Sequence, residues 1–157
     1  MNGHIVSPHW QLLTFEELNT AALYQLLQLR QAVFIVEQNC PYLDIDGLDI
    51  KATHLLGWHN DRLIACLRCL PPGLSYPESS IGRVIIATEA RGANSGTQMV
   101  QRAITFNRSQ WPDSDILIGA QAHLQTFYGR LGFISEGEKY LEDGIDHVHM
   151  RLTRHPT

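Results

Sequence analysis

Cysteine is scarce in this sequence, basic charge is in deficit, and no long apolar run is present. The three cysteines, Cys40, Cys66 and Cys69, cannot all pair with one another, which argues against a disulfide framework. Cys66 and Cys69 form a C-x-x-C, but inside a strand-like run, Leu63 to Leu70, where residues three apart point to opposite faces. They read as buried small hydrophobes rather than as a redox or zinc pair. No apolar run approaches the roughly 20 residues that cross a bilayer. The opening, Met1-Asn2-Gly3-His4-Ile5, lacks the basic region and apolar stretch of a secretory signal, so a cytoplasmic protein with no membrane partner is expected. Lysine and arginine total 12 against 16 acidic residues, a net charge of −4, which discourages nucleic-acid binding.

What is present fits a globular chain: 44% of residues are hydrophobic and 18% charged over 157 residues. With no repeat, low-complexity tract or linker, residues 1–157 read as one domain with one core. His9 to Leu13 forms a short strand. Thr14-Phe15-Glu16-Glu17 fits a capping box that opens a helix, and Leu23, Leu26, Leu27, Arg30 and Phe34 continue it at helical spacing. The pattern dissolves after Glu37 into a loop with an acidic cluster, Asp44, Asp46 and Asp49. Strands over 53–59 and 62–70 flank an Asn60-Asp61 turn, and residues 81–87 read as a central strand. A helix carrying Gly96, Met99, Val100, Ala103 and Ile104 follows, closed by Trp111-Pro112. Then come a strand over 115–120, a short helix stopped by Gly132 and a strand over 147–152, with 38–52, 71–79 and 137–146 left as loops. Such an order is α/β, neither all-parallel nor all-β.

The most informative stretch runs from Val84 to Thr97: strand, short loop of small residues, helix start. Small residues let the backbone approach a ligand, and the free N–H groups of a helix N-terminus attract phosphate. Arg91 adds a fixed positive charge beside it. These features point to an anion at the helix start, with an ordinary tight turn capped by Ser95 as the alternative. The spacing matches neither the P-loop nor the Rossmann fingerprint.

Arg91, Asn94 and Gly96 align with the signature of the GNAT acetyltransferases, Arg or Gln, two residues, Gly, one residue, Gly or Ala; Tyr128, Gly132 and Phe133 align with its Tyr-x-x-x-Gly-Phe element. Arg30 to Gln38, Asn39 to Tyr42, Asp44 to Gly47, Gly119 to Gln125 and Glu142 to Ile145 extend the likeness, in order, over nearly the whole chain. The sequence therefore resembles the ElaA-type subgroup of that family. Asn94 departs from the pattern, standing where the family has its first glycine. Asparagine tolerates unusual backbone angles, so the loop is compatible, though its side chain crowds the ligand more than hydrogen does.

The resemblance implies a mixed central β-sheet with splayed central strands, flanked by helices. It implies acetyl-CoA as co-substrate and direct attack by the amine of a small molecule or peptide, with no metal. Val84, Ile85 and Ile86 would pair with the pantetheine, and Arg91, Gly92, Ala93, Asn94, Ser95, Gly96 and Thr97 would hold the pyrophosphate. Tyr128 would reach the thioester sulfur, and a backbone N–H near Ile86 would support the carbonyl. The proton acceptor is open between Glu37, which also reads as a helix-end ion-pair partner, and His123, which also reads as a helix cap. Asp44 and Asp46 would select a cationic acceptor or remain a solvated loop, and His54 reads as structural. His147 and His149 share a strand face but find no third ligand for a metal. Two other readings stand beside the enzyme: a non-catalytic module that binds or senses acyl-CoA, and an acyl-homoserine lactone synthase that uses S-adenosylmethionine, for which Arg30-x-x-Val33-Phe34-x-x-Glu37 is the similar stretch. Edge strands at either end leave a homodimer open.

Overall fold

The structure is a computed structural model that describes residues 7–92 and 94–156. Two antiparallel sheets touch at one point. The first has the order β1 (His9–Thr14), β2 (Thr53–His59), β3 (Arg62–Leu70), β4 (Ser80–Ile86). The second places β7 (Ile145–Leu152) between β5 (Ile116–Gln121) and β6 (Ile134–Glu142). A parallel bridge from Ser79 to Ile116 joins β4 to β5, where the Leu117 N–H donates to the Ser79 carbonyl at 2.9 Å. Among the described residues no further ladder connects the two, so they diverge into a wedge.

The closed end of the wedge is pinned by polar groups. The Ser79 N–H donates to Ser114 Oγ at 2.9 Å, and the Ser79 hydroxyl to the Asp115 carbonyl at 3.2 Å. Fully buried Asn107, on α2 (Ser95–Gln110), donates to the Ser80 carbonyl at 3.1 Å and to Ser79 Oγ at 3.3 Å. The open end follows from a bulge: Cys66 pairs with Ile85 and Arg68 with Gly82, so Arg83 and Val84 both stand opposite Leu67. Arg83 takes φ 51°, and an extra residue of this kind bends a strand and sharpens its twist. That bend turns β4 away from β5.

Helices cover the sheets unequally. One apolar face receives α2, through Met99, Val100, Ala103 and Ile104, and α3 (Gln125–Arg130), through Tyr128, in one cluster with Leu67, Ile118 and Met150. On the opposite face α1 (Thr20–Arg30) packs on β3 and β4 through Leu26, against Leu56, Cys66 and Ile85. Cys66 and Cys69 enter different clusters, as alternation along a strand requires. From Gln31 to Glu37 the chain continues as a wider helix with five-residue bonds, Gln38 N–H to Val33 and Cys40 N–H to Ile35. Gly57 gives room for Trp10, since a Cβ there would lie 2.7 Å from the indole.

Loop 39–52 has little regular structure and is held by charge. Arg30 Nε donates to Asp44 Oδ2 at 2.9 Å and its Nη1 to Asp49 Oδ1 at 2.7 Å. Arg68 forks onto both oxygens of Asp46 at 2.8 and 2.6 Å and also reaches Asp49 at 3.1 Å. Arg83 pairs with Asp44 at 2.8 Å, donates to its carbonyl at 3.1 Å and lies over the Tyr42 ring. Buried beneath, His54 bonds the Asp49 carbonyl through Nε2 at 3.0 Å. Burial pushes the His54 imidazole below its ordinary value; the Asp49 contacts oppose this and the Arg30 and Arg68 charges add to it. Burial alone would raise Asp46 and Asp49, but their arginine partners outweigh it and hold both carboxyls low.

Two expected features differ. The Thr14 N–H does donate to Glu17 Oε1 at 3.0 Å, yet the chain there only turns; the helix starts at Thr20, where Asn19 Oδ1 accepts from the Ala22 N–H at 2.7 Å. Residues 137–146, expected as loop, hold most of β6 and the turn into β7. As an exposed edge strand β6 carries no apolar alternation, and Gly137, at φ 73° beside a register shift, breaks what pattern it has.

Two predictions follow from the buried charges. Arg30→Met leaves Asp44 and Asp49 short of a cation and is expected to cost about 3–5 kcal/mol in urea unfolding. A loss below about 1 kcal/mol would show that the network is not what holds the loop. Because folding depresses the His54 pKa, its stabilising neutral form is fully favoured above about 6.5 and lost as pH falls toward the folded value. The melting midpoint is therefore expected to drop from pH 7.5 to 5.5, and more gently in His54→Gln, whose amide keeps the bond to Asp49. Identical slopes in the two proteins would refute this assignment.

Candidate active site

Beyond the bulge, β4 ends at the open side of the wedge with Val84, Ile85 and Ile86; Ile85 is buried in the α1 cluster, while Val84 and Ile86 are half-buried. The chain then turns through Thr88–Ala90 and passes Arg91 and Gly92 before α2 begins. Ala93 lies outside the described residues. Asn94 adopts φ 56°, ψ 15°, the left-handed conformation that a glycine supplies without cost, so the departure from the family pattern is absorbed by the backbone. It makes no side-chain cap, and the buried Ser95 hydroxyl has no partner. Gly96 lies against the Phe127 ring, and Thr97 is half-buried beside it. Seven residues expected to hold a pyrophosphate thus include a helix start with uncapped N–H groups and an orphaned hydroxyl, a fit to a phosphate ligand.

Arg91 spans the mouth of the wedge. Its Nε donates to the Ile86 carbonyl at 2.8 Å, and its Nη2 meets both oxygens of Glu37, at 3.2 and 3.0 Å. Next to Glu37, Gln38 accepts from the Gln121 amide at 3.3 Å, at the end of β5. Gln121 is the cross-strand partner of His147 on β7. Ile86, Arg91, Glu37, Gln38, Gln121 and His147 therefore form a polar row from one arm of the wedge to the other.

Among the described residues no helix packs on the face of the second sheet that this row enters. Gly119 and Gln121 of β5 and His147 and His149 of β7 share it, opposite the apolar Ile118, Ala120, Val148 and Met150. Tyr140 stacks on His149 at 4.6 Å and on His147 at 5.7 Å, and Tyr76 meets His149 edge-on. Both hydroxyls converge over Gly119, where a Cβ would lie 2.7 Å from Tyr140 and 3.1 Å from Tyr76. Burial pushes the Tyr140 phenol up to about 12, aided by Tyr76 and Glu142. The Cys40 thiol donates to the Asp143 carbonyl at 2.9 Å and ties the acidic loop to the β6–β7 turn. The result is a compartment floored by aromatic and imidazole rings, with Gln38 and Cys40 at its border.

The remaining expected site residues are distributed as follows. Tyr128 is buried on α3 between Phe127 and Phe133, and burial pushes its phenol up to about 12. His123 is exposed on the turn before α3. Asp44 and Asp46, expected at the substrate mouth, have their carboxylates committed to Arg30, Arg68 and Arg83, so their charge is balanced by those guanidinium groups. The sequence pattern did not bring together Gln38, Gln121, Tyr76, Tyr140, Glu142 and His147, which the fold places on this face or at its border. Alternation along β5 was the available signal, because it places Gly119 and Gln121 opposite the apolar Ile118 and Ala120.

Comparison with known proteins agrees with this architecture. The family model described as an acetyltransferase (GNAT) domain matches residues 49–154. Protein ElaA of Escherichia coli is 48% identical over 143 residues, 90% of this chain and 94% of the relative. A crystal structure of E. coli ElaA superposes with a TM-score of 0.87 at 46% identity, covering 95% of this chain and all of that one. An acyl-CoA N-acyltransferase from Pseudomonas aeruginosa superposes with a TM-score of 0.88 at 43% identity, covering 94% of this chain and 100% of that one. From the splayed sheet, the helix start at its mouth and these likenesses, the chain belongs to the GNAT acetyltransferase family, in its ElaA-type subgroup.

Proposed function

We propose that the protein transfers an acetyl group from acetyl-CoA to a primary amine, in keeping with the acyl transfer that its family performs. The observation that carries this reading is the wedge itself: an unpaired β4 edge leading directly to an uncapped helix start with a buried, partnerless Ser95 hydroxyl. Val84, Ile85 and Ile86 would offer backbone groups to an amide-bearing chain, as one strand offers them to another. Arg91, Gly92, Asn94, Ser95, Gly96 and Thr97, with Ala93, would hold the pyrophosphate. When bound, acetyl-CoA supplies an activated thioester.

The protein's own groups would then orient the acceptor and move protons. Tyr128, kept protonated by burial, is suited to donating a proton at the thioester sulfur. The compartment over Gly119 would receive the amine, its aromatic faces and the Glu142 carboxylate favouring an ammonium group. Glu37 and His123 were the expected proton acceptors; Glu37 stands in the polar row but paired with Arg91, and His123 stands outside it. Asp44 and Asp46, neutralised by arginines, support no cation selection.

Thermal unfolding tests the donor site. At about 100 times Kd a ligand adds about 2.7 kcal/mol by mass action. For a chain of this size that raises the midpoint by about 5–10 °C, at about 2–4 °C per kcal/mol. The expected shift appears with acetyl-CoA and with free CoA; its absence with both refutes the reading. Tyr128→Phe is expected to keep the shift and lower the transfer rate to a primary amine about 10²-fold. A shift without transfer to any amine would favour the non-catalytic acyl-CoA-binding module.

A further inference from the structure

One imidazole in the polar row has been given no part. His147 is only 8% exposed, set on β7 between Gln121 of β5 and Tyr140 of β6. Its Nδ1 lies 2.7 Å from the Ile145 carbonyl oxygen. A carbonyl can only accept, so Nδ1 carries the proton and Nε2 keeps a free lone pair. Glu142 Oε2 stands 3.7 Å from that Nε2. Tyr140 stacks on the ring and fixes its plane. A neutral imidazole with its donor nitrogen satisfied by the backbone and its acceptor nitrogen beside a carboxylate is arranged to take up a proton and to hold it.

The other candidates lack this arrangement. Glu37 has both carboxylate oxygens engaged by the Arg91 guanidinium. His123 is exposed on a turn. His149 shares the face but lies one pair further from the wedge mouth, opposite Gly119. Other titratable groups bear on His147 from each element around it. Tyr140 and Glu142 come from β6, Asp143 from the hairpin turn and Tyr76 from the loop after β3. Glu37 and Cys40 belong to the segment packed on the β5 end, with Arg91 on Glu37.

We infer that His147 accepts the proton of the acceptor amine, with Glu142 as the positioning residue that stabilises the imidazolium; this rests on the acyl-transfer reading above. An N–H bond of the alkylammonium breaks, its electron pair stays on nitrogen as the attacking lone pair, and the proton takes the Nε2 lone pair. The imidazolium then donates from Nδ1 to the Ile145 carbonyl and from Nε2 toward Glu142. That proton passes to solvent once per turnover. The second nitrogen proton, lost as the amide forms, replaces the one Tyr128 donates.

The first test uses the ligand-free protein. Long-range proton–nitrogen spectra of the imidazoles, assigned with His147→Asn, are expected to place the neutral proton on Nδ1. In Glu142→Gln the Nδ1 proton is expected to stay in place, while kcat for amine transfer falls about tenfold at an unchanged KM and an unchanged acetyl-CoA melting shift. A proton on Nε2 overturns the His147 assignment, and an unchanged kcat in Glu142→Gln overturns the role given to Glu142. The second test follows acetyl transfer from acetyl-CoA to spermidine, glucosamine, hexylamine and an alanyl peptide. His147→Asn keeps the bond to Ile145 through its amide nitrogen but has no Nε2. It is expected to retain the acetyl-CoA melting shift, to lose about 10²–10³-fold in kcat, and to lose the acid limb of the pH–rate profile. A normal melting shift with kcat within about threefold of wild type overturns the His147 assignment alone. No acetyl-CoA shift in the wild type overturns the parent reading, and the assignment falls with it.

Discussion

The buried arginine–aspartate network is the constraint on which the rest of the site depends. Arg30 comes from α1, Arg68 from β3 and Arg83 from the bulge in β4, and all three converge on aspartates of one loop. Without them that loop has only a single turn, Asp49–Lys51, to define its path. With them it is bound at once to the helix, to the sheet and to the residue whose left-handed backbone splits the sheet. Buried ion pairs of this kind add little net stability compared with apolar packing, because desolvation offsets the attraction. What they contribute is geometry: three forked donors and three carboxylates satisfy one another in few arrangements. The same loop carries Cys40 to the β6–β7 turn, so the wedge and the tyrosine–histidine face of the second sheet are tied to one set of charges.

How much of this was legible in the sequence depended on whether a residue's role was local. Strands over 53–59 and 62–70 were read to the residue because the Asn60-Asp61 turn between them is a local signal, and Asn60 does take φ 55°. The helix start after Arg91 was legible for the same reason. The acidic loop was misjudged because the partners of Asp44, Asp46 and Asp49 are 14–39 residues distant along the chain, and nothing in the loop announces them. Strand β6 was missed because an edge strand protects itself with charge, which erases the pattern that identifies it. The tyrosine–histidine face over Gly119 was invisible as a unit. It draws Tyr76, Gly119 and Gln121, Tyr140 and His147 from four stretches that only the fold brings together.

Glycine at position 119 shows how a single absence shapes a site. A side chain there would meet two tyrosine hydroxyls, so its lack lets Tyr140 and Tyr76 settle onto the β5 backbone. Tyr140 can then lie flat against His149 and His147, and the floor of the compartment becomes a continuous row of rings. On the opposite face of the same strands, Ile118, Val148 and Met150 lie in the core. One pleated sheet therefore carries apolar packing on one side and a row of polar rings on the other, at a cost of one residue type in one position.

Two sets of arginine–carboxylate pairs in this molecule obey opposite rules, and burial decides which. Arg30 is 1% exposed in its side chain and its aspartates 9%, so removing any partner strands a charge in a medium that solvates it poorly. That set is fixed. Arg91 and Glu37 are each 43% exposed, where water and salt screen the attraction and an ion pair is worth about 0–1 kcal/mol. That pair is exchangeable. A weak, exposed pair at the mouth of the wedge is thus hung on a strong buried frame, and the two respond oppositely to salt and to substitution.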